Sequence, residues 1–269
     1  MLLGREDVAP DAVDKDGRTP LSWVAENGDG IIVKRLLECE DVVPDTPDKD
    51  GRTPLWWAVE YEAADVVKLL LGREEVTPDT ADKDGQMPLL RALENGCKTI
   101  VKMLLEREDV SPNTVAQCGQ TPLLCAAQNG SKEIMLMLLE REDVTPDIND
   151  EDGRTPLSWA AENGHNDVVK TLWGRQGVTP DAADYGGRTP LLWAAENRYA
   201  GVIEMLLERK DVTPDTADND CRTPLSWAAK NGYEEVVKML LEYGDVKPDT
   251  PDQDGRTPTR VMSSSDIAP

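Results

Sequence analysis

The stretch DEDGRTPLSWAAENGHNDVVKTLWGRQGVTPDAA, residues 150–183, contains the local signals that decide the fold. Thr155 is a favourable N-cap, and Pro156 suits the first helical position because its φ is already helical and it has no N–H to leave unpaired. The Asn-Gly pair at 163–164 predicts the end of this short helix. A second apolar run with helical spacing follows at 168–172, so the segment predicts helix, turn, helix and return loop.

The same pattern recurs every 34 residues without insertion or deletion. The Thr-Pro pair has counterparts at Thr19, Thr53, Thr121, Thr189, Thr223 and Thr257, and Met87-Pro88 keeps the register. The seven copies begin at Asp14, Asp48, Asp82, Ala116, Asp150, Asp184 and Asp218. We therefore divide the chain into the tail of a truncated repeat at 1–13, seven repeats at 14–251, and a degenerate partial repeat with a frayed end at 252–269.

One such hairpin is too small to bury its own apolar face, whereas a stack of hairpins forms a continuous core. The repeat therefore predicts an all-α solenoid of helix–turn–helix units, joined by short loops that form hairpin-like fingers. Because both ends look incomplete, we expect the chain to be a fragment or a shortened relative of a longer array.

Composition narrows the classes of partner. The chain has 52 Asp and Glu against 29 Lys and Arg, a formal net charge of −23 at pH 7. Such a chain repels DNA, RNA and anionic lipid, so we expect no nucleic acid and no membrane as partners, and a protein with a basic or mixed-charge surface is favoured. The competing interpretation is that the acidity only keeps an elongated surface soluble.

The cysteines and the N-terminus indicate an intracellular protein. Five cysteines are present, an odd number without a CxxC pair, which favours neither a disulfide framework nor a zinc site. Free thiols fit a reducing compartment, and residues 1–11 do not resemble a signal peptide, so we predict the cytoplasm or the nucleus. No apolar stripe is left over for self-association, and we expect a monomer.

The segment DxDGRTPLSWAAENG followed by VVKxLLE resembles the ankyrin repeat, and the resemblance covers essentially the whole chain. It implies a scaffold that binds another protein through a concave face and the loop tips. The motif TPLSWAAENG with a DVTPD return loop is similar to fungal ankyrin arrays, some of which follow a nucleotide-binding oligomerisation domain. The resemblance therefore also implies an alternative function, the ligand-sensing repeat segment of a multidomain fungal NACHT-type receptor.

The sequence departs from the family pattern at a few positions. The period exceeds the usual value of roughly 33 residues, and the extra residue lies in the return loop. The glycine between the two helices becomes Glu62 and Arg198, and Cys221 replaces a turn glycine. Side chains at such positions strain the backbone. Copy four begins Ala116-Gln117-Cys118 and lacks the acidic start. We expect these departing copies to be the least stable.

Tryptophan recurs at one position of the repeat. It stands there as Trp23, Trp57, Trp159, Trp193 and Trp227, with Arg91 and Cys125 in copies three and four. Large aromatics at regular helical spacing are more often buried between neighbouring helices than used to grip a ligand, and burial is the favoured interpretation. Trp56 lies outside this position, and we expect it to be partly exposed and available to a partner.

Charged residues of the fingers and first helices form a second candidate surface, at positions where the resemblance implies partner contact. One interpretation is a striped surface that docks a partner. The other is that the recurring arginines and glutamates pair with each other and only solubilise the stack. The candidate partner-binding residues are Arg18, Arg52, Trp56, Tyr61, Arg154, Tyr185, Arg188 and Arg222.

The sequence offers no catalytic constellation. His165 is the single histidine, and we expect a structural role for it where the second helix of copy five opens. No Ser–His–Asp order, Gly-rich phosphate loop or metal-ligand spacing is present. We therefore predict that the chain is not an enzyme, and we expect no cofactor, no metal and no catalytic residue.

Overall fold

The computed structural model describes residues 10–116, 119–243 and 246–259, and within these ranges it contains fourteen α-helices and no strand. Each copy has a first and a second helix. The first helices are α1 (Pro20–Asn27), α3 (Pro54–Glu60), α5 (Pro88–Glu94), α7 (Pro122–Gln128), α9 (Pro156–Glu162), α11 (Pro190–Glu196) and α13 (Pro224–Lys230). The second helices are α2 (Gly30–Leu37), α4 (Ala64–Leu71), α6 (Lys98–Leu105), α8 (Lys132–Leu139), α10 (Asn166–Trp173), α12 (Ala200–Leu207) and α14 (Glu234–Glu242). The predicted all-α class of helix–turn–helix units is confirmed.

The first helices begin as the Thr-Pro pair predicts. In α9, the Thr155 side chain accepts a hydrogen bond from the backbone N–H of Ser158, and Pro156 is the first helical residue. Thr19, Thr53, Thr121, Thr189 and Thr223 make the equivalent bond. Copy three is the exception, because Met87 has no side chain that can cap α5.

The turn between the two helices needs a left-handed residue. Gly164 ends the turn after α9 with φ +69°. Glu62 and Arg198 occupy the same place with φ +56° and +63°, and Cys221 has φ +59° in the finger of copy seven. The expected backbone strain at these three side chains is therefore confirmed, since L-residues rarely adopt this region.

The chain forms two compact units, residues 1–125 with 140–143 and residues 126–139 with 144–269. In the first unit, α1, α3 and α5 pack in series, and so do α2, α4 and α6. In the second unit, α9, α11 and α13 pack in series, as do α8, α10, α12 and α14. Fully buried alanines such as Ala160 and Ala194 let successive first helices approach closely. Within each unit, substantial helix contacts join only neighbouring copies, as a stack requires.

The finger that opens every copy except copy four is a turn held by an aspartate. Oδ1 of Asp48 accepts hydrogen bonds from the backbone N–H groups of Asp50 and Arg52, both at 2.9 Å. Successive fingers are joined by backbone bonds, such as Lys83 N–H to the Asp50 carbonyl at 2.8 Å. The same turn occurs at Asp14, Asp82, Asp150, Asp184, Asp218 and Asp252. Each finger therefore places its side chains at a fixed spacing beside the first helix.

The return loops are pinned by a second aspartate. Oδ2 of Asp181 accepts a hydrogen bond at 2.6 Å from the backbone N–H of Thr213, one copy later. The bond recurs at Asp45, Asp79, Asp147 and Asp215. Arg107 adds a second link, because its guanidinium donates to the carbonyls of Leu71 and Val76 in the preceding copy.

Candidate functional site

The tryptophans of the shared position, which we call the indole column (Trp23, Trp57, Trp159, Trp193 and Trp227), bond to the aspartates that open their own copies. In each case Nε1 donates to Oδ2 of the aspartate, at 2.7–3.1 Å. The other oxygen of the same aspartate holds the finger turn. One carboxylate therefore couples the finger to the first helix.

Arginines of the fingers lie against the indole column. In the second unit, Cζ of Arg154 lies 4.8 Å from the ring centroid of Trp159 and 4.2 Å from that of Trp193. Arg188 contacts Trp193 and Trp227 in the same way, at 4.5 and 5.2 Å. Arg18 lies 3.8 and 3.9 Å from two indoles of the first unit. A guanidinium near an aromatic face is attracted by the ring quadrupole, so each arginine links two copies.

These arginines also form ion pairs with glutamates of the first helices. Nη1 of Arg154 lies 2.7 Å from Oε2 of Glu162, and Nη1 of Arg188 lies 3.0 Å from Oε2 of Glu196. Burial raises the pKa of Glu162; Arg154 opposes this effect, whereas Glu196 adds to it by repulsion. The raised pKa means that the charge on Glu162 is not fully compensated by its neighbours.

Copy three replaces the indole with Arg91. Its Nη2 donates to Oε1 of Glu60 at 2.7 Å, and its Nη1 donates to Oε2 of Glu94 at 2.8 Å. The hydrogen bond from Arg91 lowers the pKa of Glu60. In this copy an ion pair, rather than an arginine between two rings, bridges neighbouring first helices.

Two tyrosines project from these networks. Tyr61 is 54% exposed, and its ring lies 6.2 Å from that of Trp57 in a stacked arrangement. Tyr185 is 72% exposed on the finger of copy six, and its ring covers Gly153 of the preceding finger. An exposed ring with a hydroxyl combines apolar area and a hydrogen-bonding group, which is typical of residues in protein interfaces.

Sequence profiles of known families identify the repeat. A profile of three ankyrin repeats matches residues 1–80, 74–150 and 142–218, and a single ankyrin repeat matches residues 220–253. The chain belongs to the ankyrin-repeat family. Ankyrin repeats are generally protein–protein interaction modules. No curated protein matches this chain.

The ankyrin helices are short. Within the described residues, none combines the length and the apolar character that crossing a membrane requires.

The structure corrects the expectation that Trp56 is partly exposed, because its exposed fraction is 7%. Trp56 occupies the core-facing position that Ser158 fills in copy five, and it packs edge-on against Trp57 with ring centroids 5.3 Å apart. Burial of the indole column is confirmed for Trp57, Trp193 and Trp227, whereas Trp23 is exposed.

The candidate arginines are less accessible than a rim of exposed charges would be. Arg18 is buried, and the side chains of Arg52, Arg154, Arg188 and Arg222 are 19–27% exposed. The Arg–Glu pairing interpretation is confirmed for Arg18, Arg154 and Arg188. Partner contact by these arginines and by the two tyrosines stays a prediction.

The bond between aspartate and indole was missed at the level of the sequence. A signal for it exists, because every copy with tryptophan at the shared position opens with aspartate. Copy four, which has Cys125 there, opens with Ala116. Spacing alone did not reveal that the arginine of the finger lies between two indoles, because that contact joins different copies.

His165 has the structural surroundings that its position predicts. It precedes α10, and its Nε2 lies 3.0 Å from the backbone carbonyl of Gln128. In the part of the chain that the structure describes, no group of three or more His, Cys, Asp or Glu side chains is placed to hold a metal.

Proposed function

We propose that this ankyrin-repeat chain is a scaffold that binds a partner protein through its first helices and fingers, and that the contacting segment of the partner is basic or of mixed charge. The observation that carries the proposal is the internal engagement of the arginines. Arg154 and Arg188 are already shared between indoles and glutamates. The bonds from these arginines use only Oε2 of Glu162 and Glu196. In the second unit we therefore assign Oε1 of both glutamates and the exposed ring of Tyr185 to partner contact.

Electrostatics favour the same class of partner. The net charge of −23 attracts a cationic protein at long range and accelerates encounter. Burial and repulsion from Glu196 both disfavour the ionised form of Glu162. At short range, a Lys or Arg side chain of the partner would stabilise that negative charge. Tyr185 would then supply apolar contact area beside these carboxylates.

Affinity capture with the whole chain tests the proposal. The bait is compared with a Glu162→Gln/Glu196→Gln double variant, which keeps the shape of both side chains and removes their charges. We expect a saturable partner at low salt, weaker capture at high salt, and loss of most of the capture with the double variant. Tyr185→Ala should weaken capture without changing its salt dependence.

The matched control is Glu204→Gln/Glu208→Gln, which removes the same charge from exposed residues in and directly after α12. Capture by this control should equal that of the unmodified chain. If both double variants capture equally well, the carboxylates of the first helices are not the docking surface. If no saturable partner is captured at either salt concentration, the scaffold proposal is wrong.

Further expectations accompany this function. Arg52, Tyr61 and Arg222 stay candidate contacts, and substituting each with alanine in the capture assay tests them. We propose a monomer, which sedimentation measures directly, and a cytoplasmic or nuclear location, which a fluorescent tag reports. The alternative role as a ligand-sensing segment of a fungal NACHT-type receptor would be favoured by a nucleotide-binding domain encoded upstream.

A further inference from the structure

Most first helices carry a glutamate at one shared position of the repeat, which we call the glutamate column. The charge at this position changes sign in copy seven. Arg18, Arg154 and Arg188 each pair with a glutamate eight residues later. The residue eight positions after Arg222 is Lys230. This substitution exchanges a negative for a positive charge, and it also removes the glutamate that would have neutralised Arg222.

A cavity of about 240 Å³ lies at this position. Its lining includes the three cationic residues Arg222, Lys230 and Arg256, together with Ser226 and a single carboxylate, Asp252. The volume is below the range of about 300–1,000 Å³ that is typical of whole small-molecule sites, so it suits one small polar group. The lining residues of this cavity therefore carry a net positive charge, whereas the whole chain has a net charge of −23.

Lys230 and Arg222 are held in place by the indole column. Nζ of Lys230 lies 4.4 Å from the ring centroid of Trp227, and Cζ of Arg222 lies 5.1 Å from it. Trp227 is itself fixed, because it is buried and its Nε1 donates to Oδ2 of Asp218 at 2.9 Å. Two cations are thus held near the same ring, which makes the site preorganised.

The existing ion pairs leave these cations available. Arg222 pairs with Asp220 at 3.1 Å and Arg256 pairs with Asp254 at 3.4 Å, and both aspartate side chains are more than half exposed. Such pairs contribute little and exchange readily for a better acceptor. Lys230 is exposed, and among the residues that the structure describes no carboxylate lies within 4.0 Å of its Nζ.

We propose that the cavity lined by Arg222, Lys230 and Arg256 binds an oxyanion, the phosphate or carboxylate of an acidic or phosphorylated side chain on the partner. Arg222 and Arg256 would donate charge-assisted hydrogen bonds from their guanidinium groups, and Lys230 would add a point charge. The hydroxyl of Ser226 is a further donor at the wall of the cavity.

The identity of the ligand rests on the proposed function, which it deepens. A partner that places basic side chains on Glu162 and Glu196 and an acidic or phosphorylated group on Lys230 can bind in one orientation only. The reversed orientation would bring like charges together at both places, and such contacts are costly. The cavity therefore selects both the charge pattern of the partner and its direction.

Titration with inorganic phosphate tests the cavity without the partner. The probe is the indole Nε1–H resonance of Trp227 in a ¹⁵N-labelled chain, assigned with Trp227→Phe, at about pH 7.5, where phosphate is mostly a dianion. We expect a saturable shift that chloride at equal ionic strength does not produce. Lys230→Glu should weaken phosphate binding at least about tenfold, the effect of losing one charge-assisted contact.

Lys230→Glu is a conservative change for the fold, because it restores the residue type of copies one, two, three, five and six at this position. Lys210→Glu is the matched control: it makes the same charge change at an exposed lysine outside the cavity, and phosphate binding should be retained. A shift that grows linearly with phosphate, or equal binding by the unmodified chain and Lys230→Glu, would overturn the proposal.

Two blocked amino acids distinguish the sources of the oxyanion. Saturable binding of N-acetyl phosphoserine amide assigns the cavity to a phosphorylated partner, and binding of N-acetyl aspartate amide assigns it to an acidic partner. If neither binds while inorganic phosphate does, the assignment to a partner protein is overturned. Failure of the proposed function gives a different result: no partner is captured, while the Trp227 resonance still shifts with phosphate.

Discussion

Copy six and copy three have the same two helices but hold them to their neighbours by different chemistry. In copy six, Thr189 caps α11, and Trp193 is 6% exposed between Arg154 and Arg188. In copy three, α5 has no side-chain cap, and Arg91 reaches Glu60 of the preceding copy. One position of the repeat can therefore be filled by a buried ring or by a partly exposed ion pair.

The difference indicates which interaction at this position of the repeat stabilises the fold more. Burying an indole removes a large apolar area from water and adds its contact with two guanidinium groups. An ion pair that water still reaches contributes only about 0–1 kcal/mol. We therefore expect α11 of copy six to resist local unfolding better than α5 of copy three, while the left-handed turn at Arg198 destabilises copy six after that helix. Substitutions in either first helix should change this ranking in a predictable direction.

The largest expected effect comes from Trp193→Ala. Removing this side chain leaves a cavity and frees two arginines from their ring contacts, which should cost about 3–5 kcal/mol. Hydrogen exchange of α9, α11 and α13 measures the loss where it occurs, because repeat proteins need not unfold in one step.

Trp23→Ala is the matched control for that measurement. Trp23 has the same position in its copy and the same bond to an aspartate, but it is 45% exposed. Its removal should cost clearly less than the removal of Trp193. Equal costs for the two substitutions would mean that burial of the indole column is not the source of its stability.

The sequence was sufficient to predict the helices, because their signals are local. Thr155, Pro156 and Gly164 each act on the backbone within one turn, so the beginning and end of α9 follow from the residues alone. The strain at Glu62 and Arg198 was predicted for the same reason, since a left-handed turn position is defined by its place in the repeat.

The candidate site was only partly predictable, because its contacts join different copies. Trp56 was expected at the surface, but the stack places its position in the core. Repeat spacing favours neither docking by the arginines nor their pairing with glutamates, and it does not predict that one arginine contacts two indoles of different copies. Lys230 illustrates what sequence comparison between copies could have found, since it is the only reversal of charge in the glutamate column.

Met87→Thr is the second test of the comparison, because it gives α5 of copy three the N-cap that it lacks. Threonine at this position accepts the bond from the third helical residue in the other copies, so the substitution should stabilise α5 by about 1 kcal/mol. Slower hydrogen exchange in α5 would show the gain. Thr189→Met is the reverse change and should destabilise α11 by a similar amount; no effect from either substitution would contradict the role of the cap.

The smallest effects are expected at two glutamates whose pKa values shift in opposite directions. The hydrogen bond from Arg91 lowers the pKa of Glu60, so its ionised form stabilises the fold above pH 4.5, and this stability is lost as the pH falls through the lowered pKa. Burial raises the pKa of Glu162, so stability rises as the pH falls through that raised pKa and is lower when the group is ionised.

Glu60→Gln should therefore lower the free energy of unfolding at pH 7 by at most about 1 kcal/mol. Glu162→Gln should leave the free energy of unfolding unchanged or raise it by a few tenths of about 1 kcal/mol. Urea unfolding at pH 7 and about pH 4 measures both variants against the unmodified chain. The difference for Glu162 should shrink at the lower pH, because its raised pKa means that it is protonated there. The difference for Glu60 should shrink less, because its lowered pKa keeps it ionised further into the acid range. Differences of the same sign at pH 7 would show that the ion pair of copy three and the partly buried glutamate of copy five contribute to stability in the same direction. The contrast between the two kinds of copy would then depend on the indole column alone.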